Sequence, residues 1–254
     1  RETFLEAGPN RDLSDYVAER IRARVNDPQL AEKLIPRDHG FGMRRMPMET
    51  GYFEAYNRNN VRLVSLLDTP IKRITKTGLQ TDEESFDFDV LVYATGFDVM
   101  TGAFNKIDIR GTDGQSLKEK WQGSPTTYLG VMVNGFPNML MVAGPQSVSG
   151  STNYPRAIEV CVDWIGELLG HARTAGLSRI EADVDAEATW TQEVIDMQEA
   201  MPFSNVKSWF TGFNANVQAA NAAPRYIAYW GGAPRYTKIL SRVASKGFHD
   251  INMD

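Results

Sequence analysis

The chain has 254 residues, 42% of them hydrophobic and 23% charged, enough apolar material for a packed core and without the bias of a disordered, fibrous or membrane protein. A net charge of -5, with its basic residues scattered, offers no field for nucleic acid. The single cysteine, Cys161 in AIEVCVDWIGELL, excludes an intrachain disulfide and fits a buried thiol in a reducing cytoplasm; His39, His171 and His249 lack ligand spacing, so no metal is expected.

The opening RETFLEAGPNRD carries no initiator methionine, signal core or transit character and reads as a cut, and no later apolar run is long enough to span a bilayer. Leu13, Val17, Ile21 and Val25 recur at helical spacing behind Ser14, and Asp27-Pro28 fits the restart of a second short helix that ends at Pro36. The loop RDHGFGMRRMP should be irregular and exposed. After a short helix around Tyr52 to Tyr56, the stretches VRLVSL, IKRIT and GLQT read as a half-exposed antiparallel ribbon.

The run FDVLVY, Phe88 to Tyr93, is apolar at most positions, as expected of a central strand covered on both faces, and it stops at Ala94-Thr95-Gly96. Met139 to Ala143 repeats the pattern, ends at Gly144-Pro145-Gln146, and leads through SVSGSTN into a long helix from about Pro155. In that helix Ala157, Cys161, Trp164, Ile165 and Leu168 share a face, and Ile158, Val162 and Leu169 extend it sideways, which implies substantial burial. Two more helices follow, one with Trp190, Val194, Met197 and Met201 on a face, the other with Tyr236, Ile239, Leu240 and Val243. The fold class is mixed α/β, with a sheet that needs further sequence to complete it.

In open α/β sheets, ligands lie beyond the carboxyl ends of the strands, where small residues let backbone approach a cofactor. Either strand ending alone is more often just a turn. Together they carry more weight, because DVLVYATGFD resembles the strand and turn by which two-dinucleotide flavoproteins return from the NADPH domain to the FAD domain, and FPNMLMVAGPQS resembles their later flavin-contacting strand. With RRMPMETGYFEAYNRNNVRLV, IDIRGTDGQSLKEKWQGSPTTYLGV, SWFTG and GGAPRY, the chain resembles the flavin-dependent Baeyer–Villiger monooxygenases over almost its whole length.

That resemblance implies a partial two-dinucleotide-binding-domain flavoprotein fold, with the C-terminal part of the FAD domain, the adjoining end of the NADPH domain and helical segments. Residues 1–60 would hold the helical segment and the basic pair, 61–98 the return strands, and 99–254 the FAD-domain part, with a substrate- and NADP-facing loop near 208–224. It implies FAD and NADPH as cofactors, a small-molecule ketone and O2 as substrates, and an ester or lactone as product, made through a C4a-peroxyflavin. Arg45 matches the family's active-site arginine and Arg44 the basic residue that holds the NADPH 2′-phosphate. Trp209 matches the tryptophan on the nicotinamide side. Ala94, Thr95, Gly96, Gly144, Pro145 and Gln146 would lie around FAD mainly through backbone contacts, and Ser208 and Gly212 would shape the tryptophan loop.

Apart from the resemblance, Arg44-Arg45 would more often be a solvated pair and Trp209 a core residue. Two segments depart from the better-known ketone oxidisers: FNANVQAANAAP replaces a shorter Pro-Gly-Lys-like turn, and SVSGSTN is long, which leaves pocket shape open and admits a bulky or aryl ketone. No GxGxxG opens a βαβ unit in this sequence, so the chain alone should not hold FAD tightly. Two rivals stand beside this reading: a flavin-containing monooxygenase that oxygenates nitrogen or sulfur, for which Arg45 is not expected, and a non-catalytic remnant that binds a partner through exposed apolar faces.

Overall fold

The structure, a computed structural model, describes residues 6–147, 152–201, 204, 206–214 and 223–254. The chain divides into two compact units, Arg1–Gly96 and Phe97–Asp254.

In the first unit, helix α1 (Ala7–Arg22) and helix α2 (Pro28–Leu34) close a small core of Ala18, Ile21, Val25, Ala31 and Ile35, with Phe53 packed against it. The expected periodicity holds, but α1 starts six residues before Leu13. Its early start is compatible with Pro9, which lies in the first helical turn where backbone N–H groups have no intrahelical acceptor. The restart at Asp27-Pro28 is a helix cap: Asp27 Oδ1 accepts from Gln29 N at 2.8 Å and Leu30 N at 3.3 Å, and Pro28 has no N–H to satisfy.

Helix α3 (Tyr52–Ala55) precedes an antiparallel sheet of β1 (Ile71–Ile74), β2 (Gly78–Thr81) and β3 (Ser85–Asp87), in that spatial order. Leu79 pairs with both Ile74 and Phe86, and a register shift interrupts β1 between Ile71 and Arg73. Gly78 is needed there, since a Cβ would meet Phe86 O at 1.9 Å. Of the predicted ribbon, IKRIT and GLQT form strands; VRLVSL does not.

The predicted central strand Phe88 to Tyr93 does not form either. These residues are in no regular element and, apart from the half-buried Leu91, lie open to solvent, Val90 76% and Val92 78% exposed, the reverse of a strand covered on both faces. A strand needs a neighbour to receive its backbone hydrogen bonds, and this run pairs with none of the named strands.

The second unit centres on helix α5 (Tyr154–Ala175), which comes after short helix α4 (Leu117–Lys120) and packs against helix α7 (Ala233–Ser245). Ala157, Cys161, Trp164 and Leu168 are buried as the periodicity predicts; Trp164 Nε1 donates to Leu240 O at 3.0 Å, and the main core adds Trp190 and Val194 from helix α6 (Val184–Glu199). Each large apolar side chain buried this way contributes roughly 2 kcal/mol. The predicted sideways extension of that face is overturned: Ile158, Val162 and Leu169 are exposed, because the buried stripe is narrow and none of the described residues of this unit covers its flank.

Strands β4 (Ile180–Ala182) and β5 (Ile251–Met253) pair antiparallel beside this core. Met139 to Ala143 is irregular rather than a strand; its one link of that kind is Met141 N to Val131 O at 2.8 Å. Among the described residues no helix is long and apolar enough to cross a membrane.

Candidate functional site

In the first unit, the loop that carries the basic pair is held from α1. Asn10 Nδ2 donates to Phe41 O and Ser14 Oγ accepts from Phe41 N, both at 2.9 Å, and a Cβ at Gly40 would meet Asn10 Oδ1 at 2.1 Å. Arg44 then pairs with Asp38 at 2.7 Å, and Asp38 also meets His39 Nδ1 at 2.6 Å. Burial pushes the Asp38 carboxyl up, but the His39 hydrogen bond and the Arg44 charge outweigh it and hold the group below its ordinary value. Arg45 is exposed next to this pair.

Ala94, Thr95 and Gly96 close the same unit in an irregular, exposed stretch. Gly96 has φ +84°, and no atom would lie within 4 Å of a Cβ there. A positive φ with free space above it suits backbone that must approach a ligand.

In the second unit the turn Gly144-Pro145-Gln146 is buried and bracketed by left-handed residues, Ala143 at φ +53° and Gln146 at φ +65°. Such conformations in residues other than glycine cost of order 1 kcal/mol each and persist where surroundings dictate them. The surroundings are visible. Gln146 Nε2 donates to Pro125 O at 2.7 Å and Tyr226 O at 3.3 Å, while its Oε1 accepts from Thr127 N at 3.1 Å and lies 2.9 Å from Thr127 Oγ1. Gly144 N reaches Gly130 O at 3.1 Å, an approach that a Cβ at either glycine would obstruct. The Gln146 side chain is therefore spent inside the protein, and so is much of the turn's backbone: Gly144 N and Gln146 N donate to Gly130 O and Ile227 O, and Gly144 O and Pro145 O accept from Ser147 Oγ and Thr127 Oγ1.

Trp209 stands half-buried in a single 3-10 turn, Trp209–Thr211. Ser208 and Thr211 cap that turn reciprocally, and Gly212 ends it at φ +68°. The indole lies 4.0 Å from the Phe210 ring, and Phe210 in turn meets Trp230 edge-on at 5.2 Å. The two departures noted in the sequence fall mainly on residues 148–151 and 215–222, outside the described residues.

Sequence reasoning missed the residues that hold these loops: Asn10, Ser14 and Asp38 around the basic pair, and Thr127 and Arg225 around the buried turn. Arg225 is half-buried beside a cleft of about 830 Å³ that Asp98, Lys106 and Trp121 also line. No spacing rule announces such contacts, since Gln146 and Tyr226 are 80 residues apart.

A cationic pair and an exposed glycine with open space above it suit parts of a dinucleotide, one for phosphate and the other for close backbone contact. No family model matches the chain. It is 36% identical over 253 residues to a 2-oxo-Δ3-4,5,5-trimethylcyclopentenylacetyl-CoA monooxygenase of Pseudomonas putida, a match that covers 100% of this chain and 46% of that protein. It is 38% identical to a cyclopentanone 1,2-monooxygenase of Comamonas (94% of this chain, 44% of the relative) and 38% identical to a phenazine N-monooxygenase of Lysobacter antibioticus (96% and 44%). A crystal structure of OTEMO in complex with FAD and NADP superposes with a TM-score of 0.91 at 36% identity, covering 100% of this chain and 46% of that one.

The chain is a relative of the Baeyer–Villiger monooxygenases. It spans a little under half the length of these relatives, and over that span it has the α/β flavoprotein architecture that their structures share.

Proposed function

We propose that the protein to which this chain contributes is an FAD- and NADPH-dependent Baeyer–Villiger monooxygenase that converts a ketone and O2 into an ester or lactone. The observation that carries this reading is the match to a cyclopentanone 1,2-monooxygenase along 94% of the chain, together with the Arg44-Arg45 pair that the sequence resemblance singles out. FAD, reduced by NADPH, supplies the activation of oxygen when bound. Arg45 stabilises the negative charge that develops on oxygen as the ketone carbonyl becomes tetrahedral, and a guanidinium does so without readily giving up its proton. Arg44 exchanges Asp38 for the 2′-phosphate of NADPH, a stronger, doubly charged acceptor.

Trp209 offers its indole N–H on the nicotinamide side, and Ala94, Thr95, Gly96, Gly144, Pro145 and Gln146 border the flavin through backbone. Residues 1–60 then belong to the end of the NADPH domain, 61–98 return the chain to the FAD domain, and 99–254 complete it. Reduced Cys161 and the need for NADPH suit a cytoplasmic setting.

Removing a charge-stabilising donor from such a site costs about 3 kcal/mol, on the order of a hundredfold in rate. The test is product analysis by mass spectrometry with the full-length protein reconstituted with FAD, given NADPH and a ketone panel, for wild type and Arg45→Ala. Ester or lactone made by wild type and lost in the variant supports the assignment.

A second reading, oxygenation of nitrogen, is favoured by the 38% identity to a phenazine N-monooxygenase. An N-oxide from a heteroaromatic amine, with no ester from any ketone, would replace the first reading with this one.

A further inference from the structure

The segment Arg225–Tyr229 is hydrogen-bonded to both turns that the proposed function places at the cofactors of the second unit. Towards the flavin-facing turn, Gln146 N donates to Ile227 O at 2.8 Å and Tyr229 N donates to Ser147 O at 3.1 Å. Towards the tryptophan turn, Arg225 N donates to Thr211 O at 2.8 Å. Gly212 makes that contact possible, since a Cβ there would lie 2.6 Å from Arg225 Cβ.

The Arg225 side chain extends the tie to two further places. Its Nε donates to Gly123 O at 2.9 Å and its Nη1 to Thr101 Oγ1 at 3.1 Å, and Thr101 is itself buried, five residues after Gly96. Both acceptors are neutral. Burial pushes the guanidinium down from its ordinary value while the charge of Asp98 pulls it up, so the cation is held where solvation is poor. A half-buried cation that, among the described residues, is compensated by neutral oxygens and one nearby carboxylate is costly to keep, and its geometry, two donors spread between Gly123 and Thr101, fixes the chain at one spot.

We propose that Arg225 is a positioning residue that fixes the Ser208–Gly212 turn, and with it Trp209, relative to the flavin-facing turn Gly144–Ser147. The inference rests on the proposed function for its consequence in catalysis, and on the hydrogen bonds alone for the tie itself. Loss of the tie lets Trp209 shift, and misplacement of about 1 Å at a reacting centre can cost a hundredfold. The damage falls on the nicotinamide side and spares FAD, because Gln146 and its partners remain.

The experiment uses the full-length protein reconstituted with FAD, with Arg225→Met, Arg225→Lys and Thr101→Val. Steady-state kinetics should give a KM for NADPH raised about tenfold in Arg225→Met, with more hydrogen peroxide released per NADPH consumed and unchanged FAD content. Arg225→Lys reaches one acceptor and Thr101→Val removes one, so both should fall between Arg225→Met and wild type. Hydrogen exchange supplies a readout free of turnover: the amides of Phe210 and Phe213, both bonded to Ser208, should exchange faster in Arg225→Met while those of α5 do not.

A lower melting temperature with unchanged KM, coupling and local exchange would reduce Arg225 to a packing residue and overturn the proposal. If Arg225→Met fails to fold, Thr101→Val decides on the same readouts. A wild type that makes no ester sinks the proposed function alone, since local exchange still reads the tie.

Discussion

At the scale of single residues, the basic pair is placed by atoms far from it in sequence. Gly40 has no room for a Cβ because Asn10 Oδ1 occupies that space, and Asn10 is itself fixed to Phe41. Gly40→Ala should therefore shift the loop and, under the proposed function, lower ester formation by the full-length protein, while the core of α1 and α2 stays intact. Circular dichroism would be unchanged and product formation would drop; wild-type turnover in that variant would show that the loop position is irrelevant.

Gln146→Leu makes a sharper test of the second unit, because it leaves Thr127 N and Pro125 O buried without partners. The cost is about 3 kcal/mol, readable as a shift of the denaturation midpoint without a change in slope. Arg44, Arg45 and Trp209 are singled out in the sequence by the motifs around them, and their roles remain part of the proposed function. Gln146 was legible only as a member of a turn, since its side-chain partners sit at Pro125, Thr127 and Tyr226 and share no local pattern with it.

At the scale of elements, the longer helices were legible, whereas of the expected strands only IKRIT and GLQT form, for one physical reason. A helix satisfies its own backbone within four residues, so α1, α2, α5, α6 and α7 follow from periodicity and caps. A strand is completed by another segment, and VRLVSL, Phe88 to Tyr93 and Met139 to Ala143 have the composition but, beyond single bonds such as Phe88 N to Thr77 O and Met141 N to Val131 O, no paired strand among the described residues. The cap of α6 can be tested directly: Asp183 Oδ1 accepts from Asp185 N at 2.9 Å and Ala186 N at 3.1 Å, so Asp183→Ala should cost about 1 kcal/mol in equilibrium unfolding.

The packed faces of α5 and α7 carry a pH signature as well. Burial pushes the Cys161 thiol and the Tyr236 phenol up, and burial with a hydrogen bond to Asp250 does the same to Tyr128. Folded-state values above the unfolded ones mean that the folded chain keeps protons the unfolded chain releases. This contribution is intact below about pH 8.5 for the thiol and about pH 10 for the phenols, and it is lost as pH climbs from there towards the raised folded values. Tyr236→Phe should flatten the alkaline fall of the melting temperature at a cost of about 1 kcal/mol for its 2.6 Å bond to Leu129 O; an unchanged alkaline limb would remove Tyr236 from the explanation.

For the whole molecule, the residues that misled the strand assignment are the ones with the largest consequence. Val90, Val92, Tyr93 and Phe97 are exposed in a run with strand composition and no strand pairing, and Ile158, Val162 and Leu169 form a separate exposed stripe on α5. Exposed apolar surface of this kind is an association surface, and an unpaired strand-forming run is a template for backbone pairing. The 254-residue chain by itself should therefore bind a hydrophobic dye and self-associate as its concentration rises. Charges placed at Val90 and Val92 block edge pairing without touching a packed core, so Val90→Lys/Val92→Lys should lower the association measured by sedimentation velocity. The triple variant Ile158→Ser/Val162→Ser/Leu169→Ser should lower it independently, because those side chains belong to a different unit. If both sets leave sedimentation unchanged, these surfaces do not drive association; if only the lysine pair acts, the unpaired run is the adhesive element and the α5 stripe is not.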